Sequence, residues 1–193
     1  MVLSKHRGHH YQHRGDDWRV IEPLIEQVRP MVAVELGTDE GGFAGKLADL
    51  LKRWGGTVHT FDIAAVGTRS GASPGSQQGG IERLERDFPN LCCYLTDVLS
   101  NGVNPLVEKC VSSTSPSLLY CDNGDKPREL ELYAPLLRVG DLLGVHDYAT
   151  EVDPTFAEDL TRKLGFLPHG HEQMETLRTA TYEPMTRFWI KVL

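Results

Sequence analysis

The sequence has no long apolar run. Its hydrophobic residues never fill the stretch of about 20 positions that a membrane span needs, so no membrane association is expected. The first stretch, Met1 to Arg14, is rich in His, Arg and Lys and lacks an apolar centre, so a secretory signal is not expected there. Cysteine is scarce: Cys92, Cys93, Cys110 and Cys121 form no C-x-x-C, and a domain of this size does not call for a disulfide framework. A reduced, cytoplasmic protein with buried thiols is expected. Positive charge is short as well. Against 27 Asp and Glu stand 20 Lys and Arg, a net charge of −7, which argues against a nucleic-acid partner because phosphate binding needs clustered bases. Internal repeats are missing, and so is the G-x-G-x-x-G of a dinucleotide site.

What is present is one globular domain. At 193 residues the chain can bury a sizeable core, and its apolar and charged fractions are ordinary. Residues 1–15 are expected to be a flexible N-terminal segment and 16–193 the domain proper. Trp18, Ile21, Leu24, Ile25 and Val28 recur at helical spacing after Asp16-Asp17, an N-cap candidate, and Pro30 closes that helix. Strands are expected at Met31 to Leu36, Thr57 to Phe61, Leu91 to Leu95, Ser117 to Cys121, Leu142 to Val145 and Arg187 to Leu193. Helical patterns fall between them, at Phe43 to Leu51, Ile81 to Phe88, Leu130 to Leu137 and Phe156 to Leu164. This alternation points to a parallel α/β sheet. Ala64 to Gly80 is mostly Gly, Ser, Ala and Gln without periodicity, and is expected to be a long loop or lid.

In an open parallel sheet, ligands bind beyond the carboxyl ends of the strands. The first strand runs into Glu35-Leu-Gly-Thr-Asp-Glu-Gly-Gly-Phe43. Gly37 permits a tight turn, Thr38 follows it, and Gly41 and Gly42 let a ligand approach the start of the next helix. Glu35, Asp39 and Glu40 make the turn acidic. Such a site repels a pyrophosphate and favours a cationic ligand; S-adenosylmethionine carries both a sulfonium and an ammonium. Asp62 ends the second strand, the usual place for a carboxylate that accepts ribose hydroxyls. Asp97 follows the third strand, where a side chain can reach an adenine edge, and Asp122 ends the fourth.

The stretch from Val32 to Asp62 resembles motif I and the acidic second-strand end of class I S-adenosylmethionine-dependent methyltransferases. The run Leu118-Leu-Tyr-Cys-Asp-Asn-Gly-Asp-Lys126, with Leu130 to Leu137 and Gly140 to Tyr148, is similar to the branch containing cephalosporin hydroxylase-like proteins and macrolide-sugar O-methyltransferases. The resemblance implies a Rossmann-like, seven-stranded, mostly parallel sheet with helices on both faces and an antiparallel last strand. It implies S-adenosylmethionine as cofactor. It also implies a divalent ion, Mg²⁺ or Mn²⁺, at the positions of Asp122, His146 and Asp147, where it would lower the pKa of an acceptor hydroxyl. The branch commonly shows D-G-D-H, whose His can act as base. Here Lys126 stands in that place, so Lys126 and His146 are the candidate catalytic residues, Lys126 only if its pKa is depressed.

The leading expectation is O-methylation of a hydroxylated small molecule, a sugar or a natural product. A hydroxylase-like or nucleotide-sugar-modifying enzyme, or a noncatalytic partner that binds the cofactor, would fit the same fold, and a homodimer is compatible with each. Other signals are discounted. Gly71-Ala-Ser-Pro-Gly75 matches G-x-S-x-G, but Pro74 has no N–H to lend to an oxyanion hole. His6, His9, His10 and His13 read as a polar N-terminus. His169 and His171 either face the substrate opening or lie on the surface.

Overall fold

The computed structural model describes residues 4–11, 17–63, 75–113, 116–179, 182 and 184–193. In chain order its elements are β1 (Ser4–His6), β2 (His9–Tyr11), α1 (Trp18–Val28), β3 (Val32–Leu36), α2 (Gly42–Lys52), β4 (Thr57–Asp62), α3 (Gly75–Asp87), β5 (Leu91–Leu95) and α4 (Pro105–Ser113). Then follow β6 (Ser117–Cys121), α5 (Lys126–Tyr133) with a 3₁₀ turn at Ala134–Leu136, β7 (Leu142–Val145), α6 (Pro154–Lys163), β8 (Phe166–His169), α7 (His171–Glu175) and β9 (Arg187–Lys191).

Strands β3 to β9 form one seven-stranded sheet in the order β5-β4-β3-β6-β7-β9-β8. The pairs β3–β4, β4–β5, β3–β6 and β6–β7 are parallel. The last strand, β9, runs antiparallel to both β7 and β8, as expected. The apolar residues divide between the two faces by strand alternation. On β6, Leu118 and Tyr120 join Ile21, Leu47 and Phe88 on one face, whereas Leu119 and Cys121 join Val107, Leu130 and Tyr133 on the other. A strand covered on both sides reads as a continuous apolar run, which is why Ser117–Cys121 was legible. The helices α5 and α6 start where the sequence provides caps. Asp125 accepts from Arg128 N at 3.2 Å and Asp153 from Phe156 N at 3.0 Å, each followed by a proline in the first turn.

Four features differ from the sequence expectation. Residues 4–11, expected to be flexible, form a β-hairpin. Its His6 Nε2 lies 2.9 Å from Asp49 Oδ2, and Arg7 donates to Asp49 Oδ1 at 2.8 Å. Helix α3 begins at Gly75, inside the expected lid; its first turns carry no apolar residue, so periodicity could not reveal them. Residues 64–74, with most of the proposed lid and the G-x-S-x-G match, lie outside the described residues. Strand β8 was hidden by Pro168, which is tolerated because β8 is an edge strand. Asp17 precedes α1 but does not cap it through its side chain; its carboxylate accepts the Tyr182 hydroxyl instead, at 2.6 and 2.7 Å.

Candidate functional site

The strand register assembles the site. Leu36 pairs with Phe61 and with Cys121, and Cys121 with Val145. The next residues along these parallel strands are Gly37, Asp62, Asp122 and His146, so they form a row along the carboxyl edge. Two different constructions occupy that row.

The first is the glycine turn. Asp62 is buried, and its Oδ2 accepts the backbone N–H of both Thr38 and Asp39 at 3.0 Å. One carboxylate oxygen therefore pins the turn to the end of β4. Thr38 Oγ1 lies 2.6 Å from Thr60 Oγ1, and Thr60 donates on to Glu35 Oε2 at 2.5 Å. Glu35 is buried, and this pushes its carboxyl well above the ordinary range, with Asp122, Asp62 and Asp39 adding to the effect against the Thr60 hydrogen bond. Glu35 is thus turned into the sheet edge and bonded to Thr60, and the half-exposed acids of the turn are Asp39 and Glu40.

The glycines are structural necessities. At Gly37, φ is +100° and a Cβ would stand 2.4 Å from the carbonyl oxygen of Asp122. At Gly41, φ is +76° and a Cβ would meet the Leu84 side chain at 2.6 Å. The requirement at Gly37 thus comes from the neighbouring loop, which also donates Asp122 N to Leu36 O at 2.8 Å. Gly42 opens α2.

The second construction lies beyond β6 and β7. His146 is buried, with Nδ1 3.1 Å from Asp122 Oδ1 and 3.3 Å from Asp147 Oδ2. Burial alone would lower its pKa; the two carboxylates outweigh burial and raise it to about 10. Asp147 sits at φ 52°, which turns its carboxylate back toward His146, and despite its own desolvation its pKa falls to about 2 through His146 and Lys126. Lys126 is 2% exposed. Its Nζ donates to Asn123 O at 2.9 Å, Asp147 Oδ2 at 3.2 Å and Glu151 Oε2 at 2.5 Å, and lies 3.6 Å from Asp122 Oδ1. Burial disfavours its charge, but the surrounding acids prevail and raise its pKa. A neutral amine base needs the opposite shift, so the expected role of Lys126 as general base is corrected: it is a fixed ammonium. Asp122 and Asp147 likewise raise the pKa of His146, which works against its expected role as a base, and an ion bound there would have to displace its proton.

The ligand-bearing atoms of Asp122, His146 and Asp147 all lie within 4.8 Å of one another. Two carboxylates and one imidazole are a donor set that suits Mg²⁺ or Mn²⁺, so the residues fit the expected ion in chemistry and spacing. Asp97 does not join either group; it is exposed, and its Oδ1 accepts Leu99 N at 2.8 Å within its own turn. His169 and His171 are half-buried, and their Nε2 atoms meet the carbonyls of Leu24 at 3.1 Å and Phe188 at 2.8 Å.

Two residues escaped the sequence reading. Glu151 completes the set around Lys126 from the turn after β7, where no spacing rule marks it. Glu129, one helical turn after Lys126, is fully buried with no well-formed hydrogen bond to its carboxylate among the described residues; burial raises its pKa to about 8 against weaker help from Lys126, the Asn123 backbone and Cys121. Its position on α5 was legible only as a charged residue in an amphipathic helix.

No protein-family model matches the chain, and no curated protein matches it in sequence. Solved structures do. The apo structure of CmcI aligns over 98% of this chain and 76% of its own, at 19% identity and a TM-score of 0.64. A S-adenosylmethionine-dependent O-methyltransferase from Thermotoga maritima aligns over 94% and 67%, at 12% identity and a TM-score of 0.61. The TDP-rhamnose 3′-O-methyltransferase of calicheamicin biosynthesis aligns over 93% and 80%, at 18% identity and a TM-score of 0.58. The chain has the Rossmann-like fold of these methyltransferases.

Among the described residues, no helix is long and apolar enough to cross a membrane.

Proposed function

We propose that this chain is an S-adenosylmethionine-dependent methyltransferase that acts on a hydroxyl group of a small molecule, a sugar or a natural product. The observation that carries the reading is the glycine turn, pinned from one side by Asp62 and packed from the other against the Asp122 backbone. This places the turn's amides, Asp62 and Asp122 around one end of the sheet, beside the further acids Asp39 and Glu40. A ligand with an ammonium, a sulfonium and ribose hydroxyls complements that surface, whereas a pyrophosphate does not. The fold is shared with proteins named for S-adenosylmethionine-dependent and sugar O-methyl transfer, and with CmcI, one structure of which is named for Mg-SAM.

The roles of the chain's own residues follow from geometry. Gly37, Thr38, Gly41 and Gly42 shape the cofactor's approach, and Asp62 holds that shape. When bound, S-adenosylmethionine supplies an electrophilic methyl group. Asp122 and Asp147, part-exposed at the ends of β6 and β7, face the acceptor side, and holding donor and acceptor together is the main rate effect expected. Asp122, His146 and Asp147 would hold Mg²⁺ or Mn²⁺, whose chemistry there is to lower the pKa of an acceptor hydroxyl. Asp97 remains a candidate for the adenine edge through the loop it closes.

The reading is tested by thermal shift. S-adenosylmethionine or its demethylated product should raise the melting temperature in a saturable way, because a ligand bound only to the folded state stabilises it. Stabilisation by NAD or by a nucleotide sugar, with no response to S-adenosylmethionine, would overturn it in favour of a different enzyme on the same fold.

A further inference from the structure

A buried ammonium already stands among the carboxylates that a divalent ion would use. Lys126 starts α5, and its side chain folds back under the loop that follows β6. An ammonium has three hydrogens to donate. Here the three short contacts are to the Asn123 carbonyl, Asp147 and Glu151, and the charge also lies 3.6 Å from Asp122. Asp122 and Asp147 are two of the three groups whose donor atoms converge as a candidate ion site.

We propose that Lys126 is the resident cation of this cluster, and that a divalent ion competes with its ammonium for Asp122 and Asp147 instead of binding beside it. The argument is electrostatic and geometric. A second cation bound to the same two carboxylates would sit within a few ångströms of the first, inside a part-buried site where like charges repel more strongly than in water. Asp147 Oδ2 is already shared, 3.2 Å from Lys126 Nζ and 3.3 Å from His146 Nδ1, so an ion reaches it only by loosening those contacts. The Lys126 side chain is not loosely placed: it is 2% exposed and tied to a backbone carbonyl, so an ion gains the acids only by displacing it. Lys126 therefore sets the ion affinity of the cluster. Removing the ammonium should leave Asp122, His146 and Asp147 open to a metal.

The inference rests on the reading of these residues as an ion site, but not on methyl transfer, so the test contains no cofactor. Mn²⁺ is titrated into the full chain, and free ion is read by electron paramagnetic resonance. Lys126→Met should bind Mn²⁺ about tenfold or more tightly than the unaltered chain, the scale of a coupling between two ligands that exclude each other. Asp147→Asn in the Lys126→Met background should remove that gain, which places the ion in the cluster. Glu151→Gln, at a half-exposed position, should keep the fold and shift affinity in the same direction by a smaller factor, because it releases one of the three anchors of the ammonium. Equal Mn²⁺ affinity in the unaltered chain and both single variants would overturn the proposal. So would an absence of saturable Mn²⁺ binding in every form, since nothing would then be competing.

Discussion

The two halves of the carboxyl edge solve one problem in different ways. On the β3–β4 side, a buried carboxylate is stabilised by peptide dipoles: Asp62 accepts two backbone N–H groups of the turn beside it. On the β6–β7 side, Asp122 and Asp147 are stabilised by full charges, the ammonium of Lys126 and the imidazole of His146. The first arrangement fixes the backbone of the glycine turn. The second fixes charge, on loops whose backbone is held by bonds of its own, such as His146 N to Cys121 O at 3.0 Å and Glu151 N to Asp147 O at 2.8 Å. An acid at a strand end is therefore not one kind of residue, and its neighbours decide whether it shapes a loop or holds a cation.

If this division is right, the dipole side should be the more sensitive to shape. Gly37→Ala combines a left-handed φ with a backbone clash, so it should cost about 3 kcal/mol of folding free energy in urea titrations. A variant as stable as the parent would show that the two loops can part without cost. Asp62→Ala removes the shared acceptor of two amides and should cost about 2 kcal/mol, and it should weaken S-adenosylmethionine binding as well as stability.

On the charge side, the informative residue is Glu129, whose buried carboxylate makes no well-formed hydrogen bond among the described residues. Its folded pKa is raised from 4.5 to about 8 by burial. Between those values the folded state holds a proton that the unfolded state has lost, so stability contributed by this group falls as pH rises through the window. Glu129→Gln should flatten that fall, read from urea midpoints across the same range. An unchanged pH profile would mean that the carboxyl is ionised and partnered. The smallest effect belongs outside both halves. Asp49→Ala removes the part-exposed partner of His6 and Arg7 and should cost less than about 1 kcal/mol, detaching the hairpin without disturbing ligand binding.

The sequence revealed most of the sheet because strands β3, β6 and β7 are buried on both faces, and such strands are nearly continuous apolar runs, interrupted in β3 by Glu35. It revealed less where burial is one-sided or local. Strand β8 lies at the edge and carries Pro168, and the hairpin at residues 4–11 is secured by His6 and Arg7, which look like a solvated tail when read in order. The candidate site divides in the same way. Gly37, Asp62, Asp122 and His146 were legible because each stands one position past an apolar strand. Glu35 was legible as an acid but not as a buried one, because its Thr60 partner lies on the next strand. The state of Lys126 was the least legible. Burial opposes its charge, and the acids that outweigh burial are Asp122, four residues earlier, together with Glu151 and Asp147 from another loop, which no local pattern announces.

The central claim is that the pinned turn binds S-adenosylmethionine, and amide hydrogen exchange tests it most directly. With saturating S-adenosylmethionine, exchange should slow at the amides of the turn from Gly37 to Gly42 and at the end of β4, while the hairpin at residues 4–11 stays unchanged. Slowing elsewhere with no effect on the turn, or slowing of the turn by NAD and not by S-adenosylmethionine, would contradict it.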